Sequence, residues 1–188
     1  GAIYNGRIAP VAPYGICGAI WYQAESNCGR GEDPRDYRHK QRALVQGWRQ
    51  AWNNENLPFF YVQLPQWKSY AWTYAREEQL QAMEVDGTGM AVTIDLDNAN
   101  DIHPPNKIDV GERLARWPLA KLYGKKIPFS GPLFRDAKVR DAEVVVGFDY
   151  AKEGLMVGRI EGVGKIVEAK DGVLYGFELV GKDGVWQP

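Results

Sequence analysis

Leu57-Pro-Phe-Phe-Tyr-Val-Gln-Leu64 decides how the rest of this 188-residue chain is read. It is a short apolar run started behind a proline, without alternation of polar and apolar positions. Such a run predicts a strand buried on both faces. Upstream, residues 36–52 carry Tyr37, Leu44, Val45, Trp48 and Trp52 near helical spacing, with Arg, Lys and Gln between them. That is the pattern of an amphipathic helix. Before it, Gly18-Ala-Ile-Trp-Tyr22 predicts a buried strand, followed by a turn-rich loop over 27–34. Downstream, residues 73–85 predict a helix with Arg76, Glu77, Glu78 and Gln81 on its polar side, and 90–96 (MAVTIDL) a third strand. Helical periodicity returns over 108–123, where Pro118 is expected to kink the helix or end its first half.

Strand and helix therefore alternate three times. With strands apolar on both faces, this implies an α/β fold: a parallel sheet with flanking helices. Open sheets of this kind usually have about five strands, so three leave part of the sheet to be supplied from upstream sequence. Beyond Tyr123 the texture changes. A linker-like segment, 125–131 (KKIPFSG), precedes short β-type runs at 143–148, 154–157, 165–169 and 175–180, separated by Gly- and Asp-containing turns. The expected organisation is an α/β part over 1–124 and an antiparallel β-rich segment over 125–188, part of a β-sandwich.

Composition narrows the function classes. The net charge is −1, which gives no global field to attract nucleic acid or an anionic membrane, and neither partner is expected. No apolar run approaches the 18 or more residues that would span a bilayer. Cys17 and Cys28 lack the spacing of a zinc site, and with two histidines in the chain no metal is expected. Both thiols are expected to be free and buried. The chain is rich in rings, with 7 Trp, 10 Tyr and 6 Phe. Rings fill cores, and they also form platforms for sugars.

Ligands of open α/β sheets sit at the carboxyl ends of the strands. Polar residues gather there: Gln23, Glu25, Ser26 and Asn27 after the first strand, Gln63 and Gln66 after the second, and Asp95, Asp97, Asn98, Asp101 and His103 after the third. His103 is the strongest candidate, because an imidazole can take and return a proton at neutral pH. It stands in Asp101-Ile-His103-Pro-Pro, two residues from a carboxylate that could fix its tautomer. Asp95 and Asp97 are rival carboxylates, and Asp101 can also be read as a turn residue. His39 lies on the polar face of a helix. Glu25 and Asp101 could instead form the acid/base pair of a glycosidase. Ser26, Ser69 and Ser130 lack a Gly-x-Ser-x-Gly elbow, and Gly29-Arg-Gly31 matches no phosphate loop. Trp67, Tyr70, Trp72 and Tyr74 either line a sugar site or form a structural cluster.

The block Gly18-Ala-Ile-Trp-Tyr-Gln-Ala-Glu-Ser-Asn27 resembles the Trp-Tyr-Gln-Gly-Glu-Ser-Asn block of sialate O-acetylesterase-like proteins, serine esterases of the SGNH hydrolase superfamily. The likeness continues through 57–64, Arg76-Glu-x-Gln79, Met90-Ala-Val-Thr-Ile-Asp95, Asp101-Ile-His-Pro104 with Lys107, and Gly111-Glu-Arg-Leu-Ala115. Tyr4-Asn-Gly-x-Ile8 and Ser130-Gly-Pro132 resemble further landmarks of the family.

The resemblance implies a three-layer α/β hydrolase that removes acetyl groups from sugar hydroxyls without a cofactor. His103 would be the general base and Asp101 its orienting partner. Gln23 would offer its amide to the oxyanion, Glu25 would orient the loop through hydrogen bonds, and Gln23, Glu25 and Asn27 together would form the oxyanion- and substrate-binding set. Loss of one oxyanion donor typically costs ~2.7–4 kcal/mol of barrier. Ala24 stands where the family has glycine, which questions the backbone freedom of that loop. The family's Gly-Asp-Ser block with the nucleophile does not occur in these residues. The sequence is thus expected to be an interior part of a longer domain, nearly inert alone, with the rest of that domain as its partner and an acetylated carbohydrate as substrate. An extracytoplasmic location is a family-level expectation. A non-catalytic carbohydrate-binding module and, behind it, a two-carboxylate glycosidase are the competing readings.

Overall fold

The computed structural model describes residues 1–188 except 13, 30, 97, 98, 104, 161–165, 171 and 188. The chain divides into two compact units, Gly1–Gly131 and Pro132–Pro188. In the first, β1 (Ala19–Trp21), β2 (Phe59–Val62) and β3 (Thr88–Ala91) form a parallel sheet in the order β1-β2-β3. Between them run α1 (Tyr37–Ala51) and α2 (Ala71–Gln81), and α3 (Lys107–Lys121) follows β3. The α/β reading of the sequence is the fold observed.

The unbroken apolar run of β2 has a direct cause. All four of its residues are buried, because the strand is central and both faces are covered. Phe59 and Tyr61 lie in a cluster with Ala19, Val45, Ala82 and Met90, against which Leu44, Trp48 and Leu80 also pack. Phe60 stacks on Trp117 of α3 at 6.3 Å. Gly89 in β3 makes room for that indole: a Cβ there would stand 2.3 Å from a Trp117 ring carbon. Trp117 also donates its indole N–H to the Met90 carbonyl at 2.9 Å, so the ring is fixed at both ends.

Three expectations about this unit need correction. The third strand is displaced toward the N-terminus, ending at Ala91 rather than at residue 96. The ladder closes with the Gln63 amide on the Ala91 carbonyl, after which Thr93 turns its hydroxyl to the Gln63 carbonyl at 2.7 Å. Pro118 does not end α3. It lies in the last turn of a fifteen-residue helix, and its carbonyl accepts the Leu122 and Tyr123 amides that close the end. A proline so near the C-terminus sacrifices one hydrogen bond of the ladder. Both cysteines are free, but Cys17 is exposed and Cys28 half-buried, so neither is the buried thiol expected.

The second unit is antiparallel, as its turn-rich texture suggested. It contains the pairs β4 (Leu133–Arg140) with β5 (Glu143–Asp149), β6 (Gly158–Ile160) with β7 (Ile166–Glu168), and β8 (Leu179–Val180) with β9 (Trp186–Gln187). Residues 154–157, read as a strand, form none; the strand begins at Gly158. Lys165 lies outside the described residues.

Candidate functional site

At the carboxyl end of β1 the chain turns through Gln23 and Ala24 into a 3₁₀ turn, Glu25–Cys28. Five hydrogen bonds fix this turn. The Gln23 carbonyl accepts the hydroxyl of Tyr37, the first residue of α1, at 2.9 Å. Burial pushes that phenol well above its usual pKa, so it stays a neutral donor. Glu25 folds back, and its carboxylate accepts the Ala24 amide at 2.9 Å. The Ala24 carbonyl accepts the Asn27 amide at 2.9 Å and the Cys28 thiol at 3.5 Å. Finally, Gln23 Nε2 donates to Asn27 Oδ1 at 3.1 Å, leaving its second amide hydrogen for another acceptor.

Ala24 stands in the place of glycine, and its methyl group is completely buried. That methyl joins a cluster with Tyr37, Leu64, Trp72 and Ala75.

The same cluster receives the histidine loop. Ile102, between Asp101 and His103, packs against it together with Cys28 and Trp67. Asp101 and His103 themselves are exposed. Asp101 Oδ1 accepts the backbone amide of His103 at 2.8 Å, a local turn that sets the residue's direction. Among the described residues no hydrogen bond joins the Asp101 carboxylate to the His103 ring. Downstream, Asn106 caps α3 by accepting the Asp109 amide, and Lys107 places its ammonium 5.1 Å from the ring centre of Tyr22 at the end of β1. Two contacts, through Ile102 and Lys107, therefore tie the loop after β3 to the end of β1.

The end of β2 is anchored by α2. Gln79, 1% exposed, accepts the Leu64 amide at 2.9 Å and donates to the Val62 carbonyl at 3.2 Å. Gln63 donates to the Arg76 carbonyl at 3.0 Å. Of the rival carboxylates, Asp95 is occupied by Arg113, whereas Asp97 and Asn98 lie outside the described residues, as does Pro104. Ser26 and His39 are exposed. Trp72 is core at 2% exposure, Trp67 packs on its edge, and Tyr70 and Tyr74 are exposed. Tyr37 is the site residue that sequence reading missed. It counted there as one apolar position of a helix, and no local signal pairs residue 37 with residue 23.

Comparison with known proteins gives a consistent picture. The family model described as carbohydrate esterase, sialic acid-specific acetylesterase matches residues 6–119. Sialate O-acetylesterase from Rattus norvegicus is 28% identical over 174 residues, covering 80% of this chain and 32% of its own length. The Homo sapiens protein of that name is 28% identical over 154 residues, covering 70% of this chain and 29% of its own. The chain thus spans about a third of the curated relatives it matches. A carbohydrate acetylesterase from Xanthomonas citri has a similar crystal structure, with a TM-score of 0.78 at 32% identity, over 99% of this chain and 42% of the other.

Proposed function

Because the chain belongs to the carbohydrate esterase family of sialic acid-specific acetylesterases, we propose that it forms part of an enzyme that hydrolyses acetyl esters on sugar hydroxyls by a Ser-His-Asp mechanism. His103 is the general base, Asp101 its orienting carboxylate, and Gln23 the amide donor to the oxyanion. The nucleophile belongs to the family's Gly-Asp-Ser block, which these 188 residues do not contain. The serine hydroxyl attacks the acetyl carbonyl while His103 takes its proton. Negative charge moves to the carbonyl oxygen, where the free Gln23 Nε2 hydrogen stabilises it. On collapse, His103 returns the proton to the departing sugar oxygen. Water then cleaves the acyl-enzyme by the same steps, releasing acetate and restoring the serine.

The observation that carries this reading is the packing of Ile102 in the cluster that holds Ala24. Each neighbour of Ile102 is a proposed member of the triad, and Ala24 follows the proposed oxyanion donor. This apolar contact joins the segment that bears Asp101 and His103 to the turn that bears Gln23, and so supports the reading.

The test is acetate release from O-acetylated sialic acid by the longer protein that includes the Gly-Asp-Ser block. His103→Ala should lower kcat by about 10³-fold or more, since triad members act as a unit. An unchanged rate in that variant ends the reading. Release of free sugar in place of acetate would favour the glycosidase. The 188-residue chain alone should release no measurable acetate.

A further inference from the structure

We propose that Arg76 is a specificity residue of this site and receives the carboxylate of an acidic sugar whose acetyl ester is cleaved. This deepens the esterase reading and rests on it. Arg76 is half-buried in the middle of α2, one turn after the buried Trp72 and next to the buried Ala75. Helical side chains lean toward the N-terminal end of their helix, and α2 begins where the loop from β2 ends. The guanidinium accordingly reaches that loop. Nη1 donates to the Pro65 carbonyl at 3.4 Å, while the Arg76 carbonyl accepts the Gln63 side-chain amide at 3.0 Å. Cys28, the last residue of the turn after β1, lies within electrostatic reach of Arg76, and that turn packs against α2. Cys28 and Ile102 in turn pack against one cluster. Arg76 therefore stands among the segments that leave the carboxyl ends of β1 and β2, on the rim that bears Gln23.

What distinguishes the residue is the want of a counter-charge. Arg113 grips Asp95, and Arg38 has Glu78 at 3.5 Å. Among the described residues no carboxylate forms an ion pair with Arg76. Burial lowers its pKa from the ordinary arginine value, and Cys28 opposes this only as a thiolate. That thiol is itself pushed up to about 11, so at neutral pH it is uncharged and supplies no anion. A half-buried charge is costly until a partner arrives. The Pro65 carbonyl takes one of five N–H donors, which leaves the planar fork able to make two parallel hydrogen bonds to one carboxylate. A sugar that bears a carboxylate as well as the acetyl ester would bring both groups to this rim, the ester to Gln23 and the anion to Arg76.

The experiment measures acetate release by the longer protein from O-acetylated N-acetylneuraminic acid and from its methyl ester, which keeps the sugar and removes the charge. In the unmodified protein kcat/KM should be about tenfold or more higher on the acid. Arg76→Gln should bring that ratio down to about one, mostly through a raised KM on the acid. A ratio near one in the unmodified protein overturns the proposal and leaves the esterase reading intact. So does an equal loss on both substrates in Arg76→Gln, which would mean that the residue only holds the loop after β2 or pairs with another part of the longer protein. Should the unmodified protein release acetate from neither substrate, the esterase reading fails by itself, and titration with N-acetylneuraminic acid followed by NMR decides the role of Arg76. A shift of its Nε–H resonance with the acid but not with the methyl ester would support that role. Equal shifts, or none, would overturn it.

Discussion

Arg113 of α3 grips Asp95 with two parallel hydrogen bonds, Nη1 to Oδ1 at 2.5 Å and Nη2 to Oδ2 at 2.8 Å, while Nη1 also reaches the Val92 carbonyl at 2.9 Å. Val92 and Asp95 are on the segment that leaves β3 and runs on to Asp101 and His103. The pair braces the base of the histidine loop, and this removes Asp95 from the candidates for proton transfer. Because the side chains are 22% and 44% exposed, water screens the pair and its net worth is about 1 kcal/mol or less. Arg113→Lys cannot make the two-pronged contact. It should lower stability by about 1 kcal/mol in urea unfolding, and it should speed amide exchange over residues 92–96 more than in β2. Uniform exchange across the sheet would refute the bracing role.

Gln79 presents a sharper case, because burial removes the screening. Its amide completes two backbone groups at the end of β2, the Leu64 N–H and the Val62 carbonyl. Gln79→Leu keeps the volume but orphans both, at ~1–3 kcal/mol each. A loss of about 2–4 kcal/mol in the unfolding free energy from urea titration is expected, with Gln79→Glu intermediate because its carboxylate can still accept from Leu64. A loss below ~0.5 kcal/mol would show that water replaces the side chain there.

These two residues show what was legible in the sequence and what was not. The alternation of strand and helix could be read because burial on both faces leaves an apolar run, as in 57–64. The roles of Gln79 and Arg113 could not: each contact joins positions 15 to 21 residues apart, and polar residues on a helix look solvated until the fold is known. The strand β4 was missed for a different reason. Its hairpin turns through Asp141 at φ 52°, a left-handed position that lacks the Asn-Gly or Asp-Gly signature of such turns. At the site, residue types at strand ends pointed to the rim where Ile102 packs in the cluster that holds Ala24. The family was legible from its blocks, because they hold the contacts just described: Gln23 and Glu25, Gln79, Asp95, Arg113.

The two thiols should differ in reactivity. Burial pushes the Cys28 pKa from 9.0 to about 11, with the Glu25 charge adding to the shift and Arg76 opposing it. At pH 8 a disulfide reagent should label Cys17 quickly and Cys28 slowly, since the thiolate is the attacking form. The sign for stability follows from the raised value. The neutral thiol is favoured by the fold, so this contribution is whole below pH 9, shrinks above it, and is lost as pH rises through about 11. Thermal melts from pH 8 to 11 should therefore fall less steeply in Cys28→Ala than in the unmodified chain. Equal labelling of both cysteines would contradict the burial of residue 28.

Glu25 separates two chemistries with one pair of variants. Its carboxylate holds the Ala24 amide at 2.9 Å and so sets the turn that presents Gln23. A positioning residue needs only an acceptor oxygen, which glutamine also has. In the longer protein, Glu25→Ala should cut kcat/KM for acetate release roughly ten- to hundredfold through misplacement of the donor, while Glu25→Gln stays within a few-fold. A glycosidase acid needs a proton to give, so there glutamine would be as damaging as alanine. Preserved activity in Glu25→Gln with loss in Glu25→Ala thus supports loop positioning. Equal loss in both, with an unchanged melting temperature, would mean that the carboxyl group itself takes part in the reaction.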